Sequence, residues 1–128
     1  MIRSILLFIV FINSAIGFGQ YAEFDFLGNT THKWEDTKEG ETLRHSFVFK
    51  NDSDIPLLIN DALVECSCTQ VEFPEDPIPP GTKDSIVVAF DTNQKYYKQN
   101  RTITLVANTK KEETLKIKVF VVPKKEGE

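Results

Sequence analysis

The chain predicts an all-β sandwich, and three observations carry that reading. Apolar residues recur two apart in run after run, breakers separate the runs at short intervals, and no stretch beyond residue 20 repeats at helical spacing. Residues 22–27 and 32–37 open the pattern with Phe24, Phe26 and Trp34. Residues 42–50 alternate from Leu43 to Phe47 and Phe49, residues 57–65 follow Pro56, and residues 68–73 form a short run. Ile86, Val88 and Phe90 place a strand at 83–91, and Ile103 with Leu105 places one at 100–107. Leu115, Ile117, Val119 and Val121 give the cleanest alternation, at 113–122. Side chains two apart share a face, so each run buries one face and wets the other. Lys116 and Lys118 fall on the wet face of the last run, as that reading requires.

The breakers agree with these boundaries. Residues 51–54 lead into Pro56, while Pro74, Pro77, Pro79 and Pro80-Gly81 make a stiff connection. Residues 91–93 and 108–111 supply two further turns. Eight runs, one of them weak, give about seven strands in roughly one hundred residues. That is the size of an immunoglobulin-like antiparallel β-sandwich. Phe24, Phe26, Phe47, Phe49, Phe73, Phe90 and Trp34 are expected in its core.

The N-terminus reads differently. A basic start at Arg3 precedes an unbroken apolar run from Ile5 to Ile12, and Ser14, Ala15, Gly17 and Gly19 follow as small residues. This is the order of a signal peptide, too short to span a membrane comfortably. Cleavage near Gly17 or Gly19 predicts an exported protein, periplasmic or extracellular, with a signal at 1–19, a sandwich at 20–123 and a frayed charged tail at 124–128. Removing Arg3 leaves fourteen basic and nineteen acidic residues, a formal charge of about −5. That balance argues against nucleic acid or anionic lipid as partner. No second apolar run is long enough to span a membrane.

Several motifs in order carry a resemblance. Phe47-Val48-Phe49-Lys50-Asn51 precedes Pro56-Leu57-Leu58-Ile59, then Cys66-Ser67-Cys68-Thr69, Pro77-Ile78-Pro79-Pro80-Gly81 and Ile86-Val87-Val88-Ala89-Phe90-Asp91. The set resembles the bacterial secreted domain-of-unknown-function family 1573, with its C-G-C-T motif, over roughly residues 42–122. The resemblance implies an immunoglobulin-type domain akin to Hydin-type and major-sperm-protein-type domains, and no established activity. Ser67 stands where that family usually has glycine, and residues 96–100 replace a usual glycine-containing turn.

Cys66 and Cys68 are the only cysteines. In an extended segment their Cα atoms would lie about 6.5–7 Å apart, at the upper edge of disulfide reach. Three uses stay open: a local structural pair, a redox-active dithiol, or a soft Cu(I) site. His45, with His32 the only other histidine, is a weak further metal candidate beside the cysteines. Tyr96-Tyr97 is a possible loop contact patch. Asn29, Asn51 and Asn100 match a short glycan-acceptor pattern, and Asp84-Ser85-Ile86 resembles an O-glycosylation pattern. No nucleophile elbow, zinc-protease helix or phosphate loop is present. The expected function is therefore a non-catalytic exported module of the bacterial envelope, without a cofactor, that binds an unknown protein or envelope component. The alternative is a periplasmic thiol protein using Cys66 and Cys68 for redox exchange or Cu(I) binding.

Overall fold

A computed structural model describes residues 20–127, and the expected signal segment lies outside them. The described residues are all-β, with nine strands. They are β1 (Phe24–Phe26), β2 (Thr31–Lys33), β3 (Thr37–Lys38), β4 (Thr42–Asn51), β5 (Ile59–Val64), β6 (Thr69–Glu72), β7 (Lys83–Asp91), β8 (Tyr97–Ala107) and β9 (Glu113–Val122). One sheet has the order β1-β4-β7-β6, and the other has the order β2-β9-β8-β5 with β3 also on β9.

Nine segments reduce to seven strands for a physical reason. The chain pairs with β4 as β1, crosses to the other sheet between Leu27 and Thr31, and continues along β9 as β2 and β3. Counted as one broken edge strand, this gives the four-plus-three order of a constant-type immunoglobulin sandwich. The expected antiparallel pairing fails along this strand, and also at the isolated parallel bridge between Ala22 and Thr109. The crossing chain meets β9 while running in the same direction, so β2 and β3 pair with it in parallel.

The alternation read from sequence is the burial pattern. Phe47, Phe49, Ile86, Val88 and Phe90 face Ile103, Leu105, Leu115, Ile117, Val119 and Val121 across the sandwich. Each such side chain stabilises the fold by about 1.5–3 kcal/mol when fully buried. Phe24, Phe26, Phe73 and Trp34 pack against this core from half-buried positions. Phe24 meets the ring of Phe49 edge-on at 5.0 Å.

Two polar side chains hold the ends. Asn51 is fully buried, and its amide donates to the carbonyls of Ile55 at 2.8 Å and Ile78 at 2.9 Å. It pins the turn after β4 to the proline-rich connection, so this side chain has no room to carry a glycan. Thr92, also buried, donates to the Glu41 carbonyl at 2.6 Å and accepts the Gly40 amide at 3.0 Å. The proline-rich connection ends in a type II turn, where Thr82 donates to Pro79 and Gly81 supplies the required φ of 74°. Lys124, at the start of the charged tail, donates its amide to the Glu39 carboxylate at 3.2 Å.

Candidate functional site

The cysteine segment is a turn, not an extended strand. Thr69 donates its amide to the Cys66 carbonyl at 3.2 Å, and the Cα atoms of Cys66 and Cys68 lie 5.2 Å apart with their sulfurs bonded. The separation is shorter than a straight strand would give because the turn folds the two residues toward each other, the kink that a bond between them requires. Ser67 keeps a negative φ, so a side chain is accommodated where the resembled family has glycine. Cys68 is half-buried against the core, and its carbonyl accepts the Asp91 amide at 2.9 Å. The bond thus sits where β6 begins its pairing with the end of β7. Bonded sulfurs offer no thiolate to a metal.

His45 lies elsewhere. It pairs with Val88 from the opposite side of β7, so β7 separates it from β6 and the cysteines. The structure instead brings His45 of β4 against His32 of β2, their rings stacked 3.5 Å apart at 8°. His32 meets Trp34 edge-on at 5.1 Å, and His45 meets Phe47 at 4.6 Å. This aromatic column closes the sandwich where the opening strand changes sheets. Sequence spacing could not show it, because the two histidines belong to different sheets. Burial pushes both imidazoles below their ordinary value, and the charge of His32 lowers His45 further. Among the described residues, no three His, Cys, Asp or Glu side chains converge into a metal-holding group.

The sheet change also leaves an edge of β4 open. Leu27 donates to Val48 and Asp52 donates to Glu23, so even-numbered residues of β4 turn their backbone groups toward β1. β1 ends at Phe26, which leaves Ser46, Arg44 and Thr42 facing outward beyond it. Trp34 covers one of these groups, its indole N–H donating to the Arg44 carbonyl at 3.2 Å. The Ser46 amide and carbonyl have no partner among the described residues. Beside them lies a crevice of about 250 Å³ lined by Phe26, Leu27, Asn29, His32, His45 and Val48. Leu27 and Val48 are exposed. An extended segment could lie here and continue the β1 line, because unpaired edge groups are a template for another strand.

The tyrosines divide. Tyr96 precedes β8, whereas Tyr97, expected in a loop, is the first residue of that strand. Tyr97 adopts φ 64°, a left-handed conformation that is rare for an aromatic residue. A short relay holds it there: Arg101 donates to Gln99 at 2.7 Å, and Gln99 donates to the Tyr96 carbonyl at 2.6 Å. The Arg101 guanidinium itself lies over the Phe90 ring at 5.4 Å. Tyr97 is 60 % exposed and its ring meets Phe120 at 6.0 Å on the outer face of the sheet. Gln94, at φ 57°, is the other non-glycine residue in this region. Both fall in or near the segment where the resembled family carries a glycine-containing turn.

The fold recurs in solved structures of low identity. A protein of unknown function from Porphyromonas gingivalis superimposes with a TM-score of 0.69 at 16 % identity, over 83 % of this chain and 50 % of that one. The chain therefore spans about half the length of that relative. A PapD-like domain of human CEP192 gives a TM-score of 0.61 at 8 % identity, covering 82 % of this chain and 87 % of that one. The periplasmic chaperone SfaE gives 0.54 at 12 % identity, covering 81 % and 58 %. No curated protein matches the chain. The family model for proteins of unknown function, DUF1573, matches residues 26–121, and the chain belongs to that family.

Proposed function

We propose that this protein is a non-catalytic, exported immunoglobulin-like module that captures an extended segment of another envelope protein along the open edge of β4. The observation that carries the proposal is the outward-facing, unpaired backbone of Ser46, flanked by exposed Leu27 and Val48. An added strand would gain main-chain hydrogen bonds there and set alternate side chains into the adjoining crevice. The sequence order of residues 1–19 supports export, and the fold shared with a periplasmic chaperone supports the reading by analogy of fold alone.

A photo-reactive residue at Val48 tests the edge. A cross-link to one envelope protein is expected, and the same experiment on a Ser46→Pro background is expected to lose it. Proline removes the outward amide while leaving the ladder to β7 intact. A cross-link that persists unchanged on that background overturns the proposal. Intact mass of the exported protein, with and without reductant, tests export and the cysteine state together. The new N-terminus reports cleavage, and a gain of two hydrogens on reduction reports the Cys66–Cys68 bond.

The second reading is thiol chemistry at Cys66 and Cys68, favoured by their place in a half-exposed turn. It requires the bond to open under periplasmic conditions. A reduction potential below about −300 mV removes it.

A further inference from the structure

The acidic overall balance conceals a basic face. Residues that pair across strands share a face of the sheet, so the β-register maps the outer surface of β2, β9 and β8. Lys33 pairs with Lys118, which pairs with Asn100. Thr31 pairs with Lys116, which pairs with Thr102. Phe120 pairs with Lys98 in the next row. Four lysines thus occupy three successive rows about 6.8 Å apart, interleaved with uncharged hydrogen-bonding side chains. Glu35 flanks the patch beyond Lys33, and Glu65 at the far edge is engaged by the Thr102 amide at 2.7 Å. These two carboxylates stand at the ends of the rows, so the four lysines outnumber them on this face. A depression of about 400 Å³ lies here, lined by Lys33, Lys98, Asn100, Lys118 and Phe120.

The aromatic end of the face is built against local preference. The register sets Tyr97 opposite Val121, a fully buried residue, so ordinary strand geometry would turn the tyrosine toward the core. Its left-handed φ coincides with an exposed ring set beside Phe120. Such conformations cost about 1–3 kcal/mol and persist where surrounding structure enforces them. The Arg101–Gln99–Tyr96 relay provides that enforcement. Backbone strain here maintains an exposed aromatic pair at the end of the lysine rows.

We infer that this face is a second binding surface, distinct from the β4 edge, and that it binds an acidic polysaccharide. The lysine ammonium groups match carboxylates carried at intervals along a chain. Asn100, Thr31 and Thr102 match hydroxyl groups between them, and the Tyr97–Phe120 pair offers apolar area to a sugar face. Nucleic acid is the poorer match, since the face has no arginine, the residue suited to bidentate phosphate contacts.

Polygalacturonate is the probe, titrated into the purified protein by calorimetry. Binding is expected at about 50 mM salt and is expected to weaken at least about tenfold by 300 mM, as screened charge pairs do. Lys33→Gln, Lys98→Gln and Lys118→Gln together are expected to weaken it by a similar factor. Lys83→Gln, Lys110→Gln and Lys111→Gln, an equal charge change off the face, are expected to leave it within about twofold, because scattered surface charges contribute little. Tyr97→Ser separates aromatic contact from charge, and is expected to weaken binding while preserving the salt dependence. No binding at low salt overturns the inference. So does equal loss in both triple variants, or equal or tighter binding to dextran, polyglutamate, single-stranded DNA or vesicles rich in anionic lipid.

Discussion

Asn51 shows how much one polar side chain can hold. Its amide satisfies two carbonyls from segments far apart in sequence, and its own oxygen accepts the Ser53 hydroxyl at 2.5 Å. Asn51→Ala would remove both bonds at a buried site, leaving the Ile78 carbonyl to the Leu57 amide and the Ile55 carbonyl to the Ser53 hydroxyl, so a loss of about 1–3 kcal/mol is expected in urea unfolding. Gln94 offers the opposite case. Its left-handed φ suits glycine, while its amide contact to Glu39 needs only the backbone. Gln94→Gly is expected to raise stability by about 0.5–1 kcal/mol with an unchanged denaturant slope. Neither role was legible in the sequence. Asn51 reads as a turn residue or glycan acceptor because only the Ile55 carbonyl is local and the Ile78 carbonyl comes from the proline-rich connection, and a φ angle leaves no trace in residue type when the residue is not glycine.

At the scale of elements, the strands with strong alternation were legible nearly to the residue. β4, β7 and β9 follow the apolar period because each buries one face, and the same residues decide both pattern and pairing. The short segments were not. Residues 32–37 read as one strand but divide into β2 and the tail of an edge, since their partners are set by where the chain crosses between sheets. The open edge of β4 follows from that crossing. Ser46→Pro is expected to cost under about 1.5 kcal/mol, whereas Phe47→Pro is expected to cost about 3 kcal/mol or more, because only the latter removes a ladder bond to β7. Urea midpoints of the two variants check this. The cysteine turn closes a loop around one residue, so replacing both cysteines by serine is expected to cost under about 2 kcal/mol, less than a long-range bridge would. A larger loss would show that the bond does more than constrain the unfolded chain.

At the scale of the whole molecule, the two sheets meet at the His32–His45 stack. Both imidazoles have folded-state values below the ordinary one of about 6.5. The unfolded chain then binds more protons, so stability is full above that value and falls as pH drops through it toward the lowered folded values. Glu113, raised by burial and then by Glu23, acts in the opposite sense around the carboxylate range, where it favours the folded state as pH falls. Thermal midpoints are therefore expected to fall between pH 7.5 and about 5.5, and His32→Gln with His45→Gln is expected to flatten that slope. A slope unchanged in the double variant would assign the pH dependence to other groups.

The sequence by itself determined the sandwich, because period-two burial and proline-glycine punctuation are local properties that a strand imposes on its own residues. Its ordered motifs determined the family. Only the tertiary structure decided which residues meet across sheets: the histidine stack, the Asn51 clamp, the Cys66–Cys68 turn, the unpaired edge at Ser46 and the lysine rows beside Tyr97. These depend on strand order and on the crossing between Leu27 and Thr31. Pairing partners lie up to dozens of residues away, and nothing in a local pattern specifies which strand will lie alongside.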